Sequence, residues 1–195
     1  MNVTREKALS LLVEYTQSES LLKHAYGVEA SMRWYAKHFD QSQEEIEKWG
    51  IAGLLHDFDY EKFPNPDPEN KTGHPFSGDK ILAKLGYPDD IREAIMGHAD
   101  FTGVKRESLM AKVLFAVDEL SGLITACTYV RPDKSIHNLK VSSVKKKLKN
   151  KSFAQGCNRD DIRNGAIDLG IELDLHIENV IKAMCEVSEK LGLKG

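Results

Sequence analysis

The sequence lacks the features that mark secreted, membrane-spanning and disulfide-stabilised proteins. Only three cysteines occur among 195 residues, and no two of them have CxxC spacing, so neither a disulfide framework nor a zinc knuckle is indicated. No apolar run approaches the ~20 residues that span a bilayer. Charges at Arg5, Lys7 and Glu14 interrupt the stretch in which a signal peptide would be apolar. We therefore expect a cytoplasmic protein that does not associate with a membrane.

An excess of positive charge is also missing. The chain has 27 Lys and Arg against 30 Asp and Glu, a formal net charge of −3, which argues against a generally basic nucleic-acid-binding protein. The one basic stretch, residues 140–151, has no aromatic residues interleaved for base stacking. Such a stretch is more often the solvated face of a short helix, and the alternative is a rim that attracts an anionic substrate. Nucleic acid is not the expected partner.

Strand-like alternation is almost absent, and apolar residues recur at helical spacing instead. This pattern predicts an all-α bundle of seven to nine helices in one domain covering residues 1–195. Thr4 and Ser42 are the predicted caps of the first and third helices. Three prolines between residues 64 and 68 exclude a helix there. Gly86 is a predicted helix stop.

The C-terminal third is more polar than the rest of the chain. Residues 141–148 and 160–169 are predicted to form short surface helices, and residues 173–191 a longer amphipathic helix. The apolar face of this last helix fits either internal packing or a partner chain. The oligomeric state therefore stays open.

Histidine and aspartate residues stand out against this helical background. His24 interrupts an apolar stripe, His56 and Asp57 end a strongly hydrophobic helix, and Asp118 follows the apolar run 113–117. An aspartate among aliphatic residues is costly to bury unless it is bound to a metal or paired with Arg or Lys. A lone histidine is more often a packed or capping residue, so the argument for metal rests on the set. Imidazole and carboxylate ligands without thiolate suit Mn, Fe, Mg, Ni or Zn.

The order His24, His56-Asp57, Asp118 resembles the H…HD…D signature of HD-domain metal-dependent phosphohydrolases. The resemblance covers a core of about residues 18–129, and residues 130–195 are similar to the C-terminal helical extension of small stand-alone bacterial and archaeal HD proteins. It implies an HD-domain helical bundle in which these four residues bind one divalent metal. Fe or Mn is favoured, and Mg, Ni and Zn remain compatible.

His74 and His98 resemble the additional ligands of dinuclear HD proteins. On that resemblance they would bind a second metal, and Asp57 would bridge the pair. The alternative role for both histidines is direct contact with a substrate phosphate. The other histidines match nothing in the signature and are expected at the surface: His38, His137 and His176.

The resemblance implies a phosphohydrolase that uses metal-activated water on a small phosphorylated metabolite or nucleotide. Asp57 and Asp59 are the predicted catalytic residues, with Asp59 as proton donor to the leaving group. The alternative for Asp59 is a turn into the proline-rich loop. Glu119 is expected behind the ligands or at the surface. Arg131 and Lys134 directly follow the helix that carries Asp118, and they are the predicted contacts for the anionic substrate.

Two other function classes fit the same residues. Some dinuclear HD proteins hold mixed-valent iron and are oxygenases. A non-catalytic metal-binding or regulatory module is the third hypothesis, although six ligands are more than such a module needs.

Overall fold

A computed structural model describes residues 3–195, and over this part of the chain the fold is all-α, as predicted. It contains ten α-helices, no β-strand and two short 3₁₀-helices at Asp100–Thr102 and Ile136–Asn138. The α-helices are α1 (Arg5–Tyr15), α2 (Glu19–His38), α3 (Gln43–Leu55), α4 (Phe76–Lys84), α5 (Asp89–Gly97), α6 (Leu109–Tyr129), α7 (Val141–Leu148), α8 (Arg159–Asp168), α9 (Leu173–Cys185) and α10 (Ser188–Leu191). None of the helices in this described part is long and apolar enough to cross a membrane.

Local signals in the sequence set several helix ends. The Thr4 side chain accepts a hydrogen bond from the Lys7 amide at the start of α1, and the Ser42 side chain accepts one from Glu45 at the start of α3. Gly86 has a φ of 76° directly after α4, a left-handed conformation that favours glycine. The predicted caps and stop are therefore confirmed.

The prediction of seven to nine helices is too low for the described residues 3–195. The predicted helix over residues 173–191 is divided into α9 and α10. The division falls at Val187, whose φ of −120° and ψ of 17° leave the helical region. The apolar side chains of α9, including Ile177, Val180 and Met184, lie in the hydrophobic core. Internal packing therefore accounts for its apolar face.

Close packing of α3 on α2 sets the geometry of the molecule's centre. A Cβ atom at Gly53 would lie 2.8 Å from the side chain of Met32 and 3.0 Å from the Val28 carbonyl oxygen. The absence of a side chain at Gly53 therefore lets the two helices approach closely. This contact brings the C-terminal end of α3, where His56 lies, against the helix that carries His24.

Helix α8 has an exposed face, as expected of a surface helix, and its other face packs closely on α6. A Cβ atom at Gly165 would lie 2.5 Å from Cα of Ala116 on α6, and Ile162 and Ala166 are buried. Glycine at 165 permits this close approach, which a sequence pattern alone does not reveal. In α7, by contrast, Val144 is buried while the lysines face outward, so the basic stretch is largely a solvated face.

His176 is buried rather than at the surface, which corrects a second expectation. Its Nε2–H donates to the Ala116 carbonyl oxygen at 2.9 Å, and its Nδ1 accepts from the Tyr35 hydroxyl at 2.6 Å. A carbonyl only accepts, so Nε2 carries the proton. Burial lowers the pKa of His176. His176 therefore connects α9 to α2 through Tyr35 and to α6 through Ala116. Ala116 lies two positions before Asp118.

Candidate metal centre

Four of the predicted ligands converge from three helices at the base of a cavity. We call His24, His56, Asp57 and Asp118 the first group. One donor atom from each lies within 4.8 Å of the others. Asp118 Oδ1 is 3.0 Å from Nε2 of His24 and 3.3 Å from Nε2 of His56. The structure thus brings α2, α6 and the end of α3 to a single point.

Asp57, His74 and His98 form a second group with the same spacing limit between donor atoms. Asp57 Oδ1 lies 3.2 Å from Nε2 of His74 and 3.6 Å from Nε2 of His98. Its other oxygen, Oδ2, lies 3.3 Å from Nε2 of His56 in the first group. Asp57 therefore directs one oxygen to each group.

Three imidazole rings are each held by a hydrogen bond to Nδ1, so that Nε2 points toward the other donor atoms of its group. His56 Nδ1 donates to the Gly53 carbonyl oxygen at 2.8 Å, and His98 Nδ1 donates to the carbonyl oxygen of Ile95. His74 Nδ1 is 2.7 Å from Oδ1 of Asp59. These partners fix the ring orientation and leave the Nε2 lone pairs for a ligand, as is usual for metal-binding histidines.

The charges of the cluster favour a cation between these residues. Burial lowers the pKa of His56, but the Asp57 and Asp118 carboxylates outweigh it, so the pKa lies well above its ordinary value. Burial also lowers the pKa of His74, but the carboxylates of Asp57 and Asp59 outweigh burial and raise this pKa to about 9. The clustered carboxylates thus attract positive charge. Nitrogen and oxygen donors without a thiolate in either group fit a divalent cation.

A cavity of about 660 Å³ opens above the two groups. Its floor consists of ligands of both groups, and its remaining lining comes from the loop after α3, the end of α5, one face of α6 and residues 156–161. Side chains that line it outside the floor include Tyr60, Phe101, Glu119, Cys157, Asn158 and Asp161. A volume of this order accommodates a small molecule.

Asp59 does not face this cavity, which corrects its predicted role as proton donor. The side chain is only 1% exposed. Its Oδ1 forms a hydrogen bond with His74 Nδ1, and its Oδ2 accepts a hydrogen bond from the Gly78 amide at 2.7 Å. A Cβ atom at Gly78 would lie 2.7 Å from Cγ of Asp59. Asp59 is therefore directed to the His74 ring and away from the cavity.

Arg131 and Lys134 also lie outside the cavity lining, which corrects the expectation that they contact the substrate. Helix α6 continues to Tyr129, and eleven residues beyond Asp118 correspond to about 16 Å at ~1.5 Å per residue. Arg131 forms an ion pair with Asp133 at 2.9 Å. Being next to α6 in sequence does not place these cations near the middle of that helix.

The sequence did not predict two parts of the cavity lining, Glu119 and residues 156–161. Glu119 lines the cavity, and burial together with the charge of Asp118 raises its pKa to about 7. Residues 156–161 reach the cavity because the Arg159 guanidinium donates to carbonyl oxygens of the preceding loop, at Ala154, Cys157 and Phe153. The cap residue Asn158 followed by two aspartates indicates a helix start, but it does not indicate a cavity wall.

Comparison with known proteins agrees with this geometry. The sequence profile of the HD domain family matches residues 21–123, more than half of the chain. The matched segment contains all six residues of the two groups. No curated protein and no solved structure matches the chain. On the family match and the clustered histidine and aspartate side chains, this chain belongs to the HD domain family of metal-dependent hydrolases.

Proposed function

We propose that the protein is a phosphohydrolase that removes the phosphoryl group from a small phosphorylated metabolite or nucleotide. The observation that carries the proposal is the sharing of Asp57 between two groups of donor atoms on the cavity floor. Two cations bridged by one carboxylate suit the in-line displacement of a phosphate ester. We further propose that iron or manganese occupies the site, since both accept mixed imidazole and carboxylate ligands.

The side chains of the floor would hold the cations and set the charge there. The first group would hold one ion through His24, His56, Asp57 and Asp118, and the second group would hold the other through Asp57, His74 and His98. When bound, divalent cations activate a water molecule as nucleophile and neutralise charge on phosphoryl oxygens. Because the imidazoles bind as neutral ligands, two carboxylates leave the floor net positive. A phosphate dianion is the matching ligand.

Hydrolysis then needs mainly positioning from the chain. A bond forms between the water oxygen and phosphorus, and the bond between phosphorus and the ester oxygen of the organic group breaks. A proton released from the water ends on the leaving oxygen, which gives an alcohol and inorganic phosphate. Asp59 keeps the His74 ring oriented during this reaction through its bond to Nδ1.

The test measures phosphate release and oxygen consumption on the same metal-loaded protein. We expect inorganic phosphate to appear from a panel of sugar, nucleoside and alkyl phosphomonoesters, without oxygen uptake. His56→Ala should abolish release. His137→Ala should not, because this exposed histidine belongs to neither group. Oxygen uptake without phosphate release would replace the proposal by an oxygenase, and full metal occupancy with neither activity would replace it by a regulatory module.

A further inference from the structure

The cavity wall carries carboxylates that the floor does not use. Asp100, Glu119 and Asp161 line the cavity without belonging to either ligand group. Asp100 is neutralised by Arg106, at 2.5 Å from its guanidinium nitrogen. Within the described chain, the Asp161 carboxylate has neither a hydrogen bond nor an ion pair. Asp161 is therefore the wall charge most available to a ligand, since a pKa of about 7 leaves Glu119 only partly ionised at neutral pH.

Cationic side chains are missing from the same wall. No Lys or Arg belongs to the cavity lining in the part of the chain that the structure describes. The guanidinium carbon of Arg106 lies 3.7 Å from the ring centroid of the lining residue Phe115, and Arg106 is already paired with Asp100. A second phosphate or a carboxylate on the substrate would meet uncompensated negative charge.

The N-terminus of α8 does not offset this charge, although helix N-termini commonly attract anions. The Asn158 side chain already accepts hydrogen bonds from the Asp160 and Asp161 amides, at 3.0 and 3.4 Å. Two aspartates in the first turn also counter the positive end of the helix dipole. The wall thus presents acceptors rather than an anion site.

Exposed aromatic rings complete the lining. Tyr60 is 43% exposed and Phe101 is 47% exposed, and both line the cavity. Aromatic faces attract organic cations and also pack against short alkyl groups. Rings of this kind in the same cavity as the unpaired Asp161 carboxylate are suited to an alkylammonium group.

We propose that the preferred substrate is a phosphomonoester whose organic part carries an ammonium group, with Asp161 as a specificity-determining residue. This inference rests on the proposed phosphohydrolase function. The cations of the floor would neutralise the phosphate, and the wall would bind the ammonium group. Burial and the nearby Asp100 raise the pKa of Asp161, and the positive charge of Arg106 does not outweigh them.

Three esters of nearly equal size test the charge preference of the metal-loaded protein. Phosphoethanolamine carries an ammonium group, propyl phosphate has a methyl group in its place, and phosphoglycolate has a carboxylate in place of the aminomethyl group. We expect kcat/KM to be about tenfold or more higher for phosphoethanolamine than for propyl phosphate, the range of a hydrogen bond to a charged group. Phosphoglycolate should be the poorest of the three. Equal values, or a preference for phosphoglycolate, would overturn the inference.

A matched pair of variants assigns the preference to one side chain. Asp161→Asn should reduce the ratio of kcat/KM for phosphoethanolamine to kcat/KM for propyl phosphate about tenfold. Asp160→Asn makes the same change in the same turn of α8, but that side chain is 82% exposed and paired with Arg163. Its preference should equal that of the wild type. A preference retained in Asp161→Asn would refute the role of this residue.

Calorimetric binding of the same esters separates this inference from the proposed function. If no ester is hydrolysed but phosphoethanolamine still binds most tightly to the metal-loaded protein, the phosphohydrolase proposal fails and the ligand class stands. If esters are hydrolysed without a charge preference, the phosphohydrolase proposal stands and the ligand class fails. Failure of both measurements overturns both.

Discussion

The two ligand groups on the cavity floor differ in how much of the fold supports them. The first group draws on α2, α3 and α6 and includes two carboxylates, Asp57 and Asp118. The second group has only the shared Asp57 together with His74, which precedes α4, and His98, which ends α5. Fewer charged ligands make a weaker cation site. We therefore expect the first group to hold its ion more tightly. The metal affinity of the second group should depend on Asp59, which holds the His74 ring.

The largest effect should come from the residue that the two groups share. Asp57→Ala removes an oxygen ligand from each group, so bound metal should fall well below one ion per chain. Phosphate release should fall more than about 100-fold, beyond the loss caused by disturbing a residue behind a ligand. Metal analysis of the dialysed variant measures this directly. Retention of two ions would show that Asp57 does not bridge the groups.

Substitutions within one group should separate the two sites. His56→Ala should lose the ion of the first group, and His74→Ala should lose only the weaker ion of the second. Metal titration followed by calorimetry distinguishes the two binding steps, with His137→Ala as the unchanged reference. The same stoichiometry in both variants and the reference would remove the distinction between the groups.

A smaller effect is expected behind His74. Asp59→Asn replaces one oxygen that holds the His74 ring or the Gly78 amide, and it should weaken the second ion about 10–100-fold. The first ion should keep its affinity because Asp59 contacts no other ligand of the floor in the described structure. A drop in kcat without any change in metal affinity would contradict the assignment of Asp59 to the orientation of the His74 ring.

The smallest effect concerns His176, which braces α6 without touching either group. Its pKa is lowered by burial, so below the ordinary value of about 6.5 the unfolded chain binds a proton that the folded chain does not. Stability should therefore fall as pH decreases from about 6.5, by at most ~1.4 kcal/mol per pH unit. His176→Gln preserves a donor and an acceptor but cannot titrate.

Denaturant unfolding of metal-free protein at several pH values checks this expectation. The free energy of unfolding of the wild type, relative to His176→Gln, should decrease between pH 6.5 and 5.5. Parallel pH dependence in the two proteins would show that His176 does not contribute.

The sequence was most informative where unusual residue types interrupt apolar helices. Histidines and aspartates within hydrophobic runs are costly unless they are paired or bound, so His24, Asp57 and Asp118 stand out in the pattern, and the resemblance to HD-domain proteins supplied their role as ligands. The structure brings these residues together with the other three predicted ligands. The all-α fold is visible for a similar reason, because helical spacing recurs along most of the chain.

The errors arose where position along the chain was taken for position in space. Arg131 is near α6 in sequence, yet the remaining length of the helix carries it away from Asp118. Asp59 follows Asp57 by two residues but is directed behind His74. The close packing of α8 on α6 at Gly165 also helps to bring Asp161 to the cavity. Such tertiary contacts leave little trace in local sequence.

The number of metal ions per chain tests the central claim most directly. Elemental analysis should be made on protein purified without chelator, and again after loading with iron or manganese and dialysis. We predict two ions per loaded chain, falling to one in His74→Ala. A single ion in the wild type, with no loss in His74→Ala, would contradict the shared role of Asp57 and return His74 and His98 to contact with the substrate.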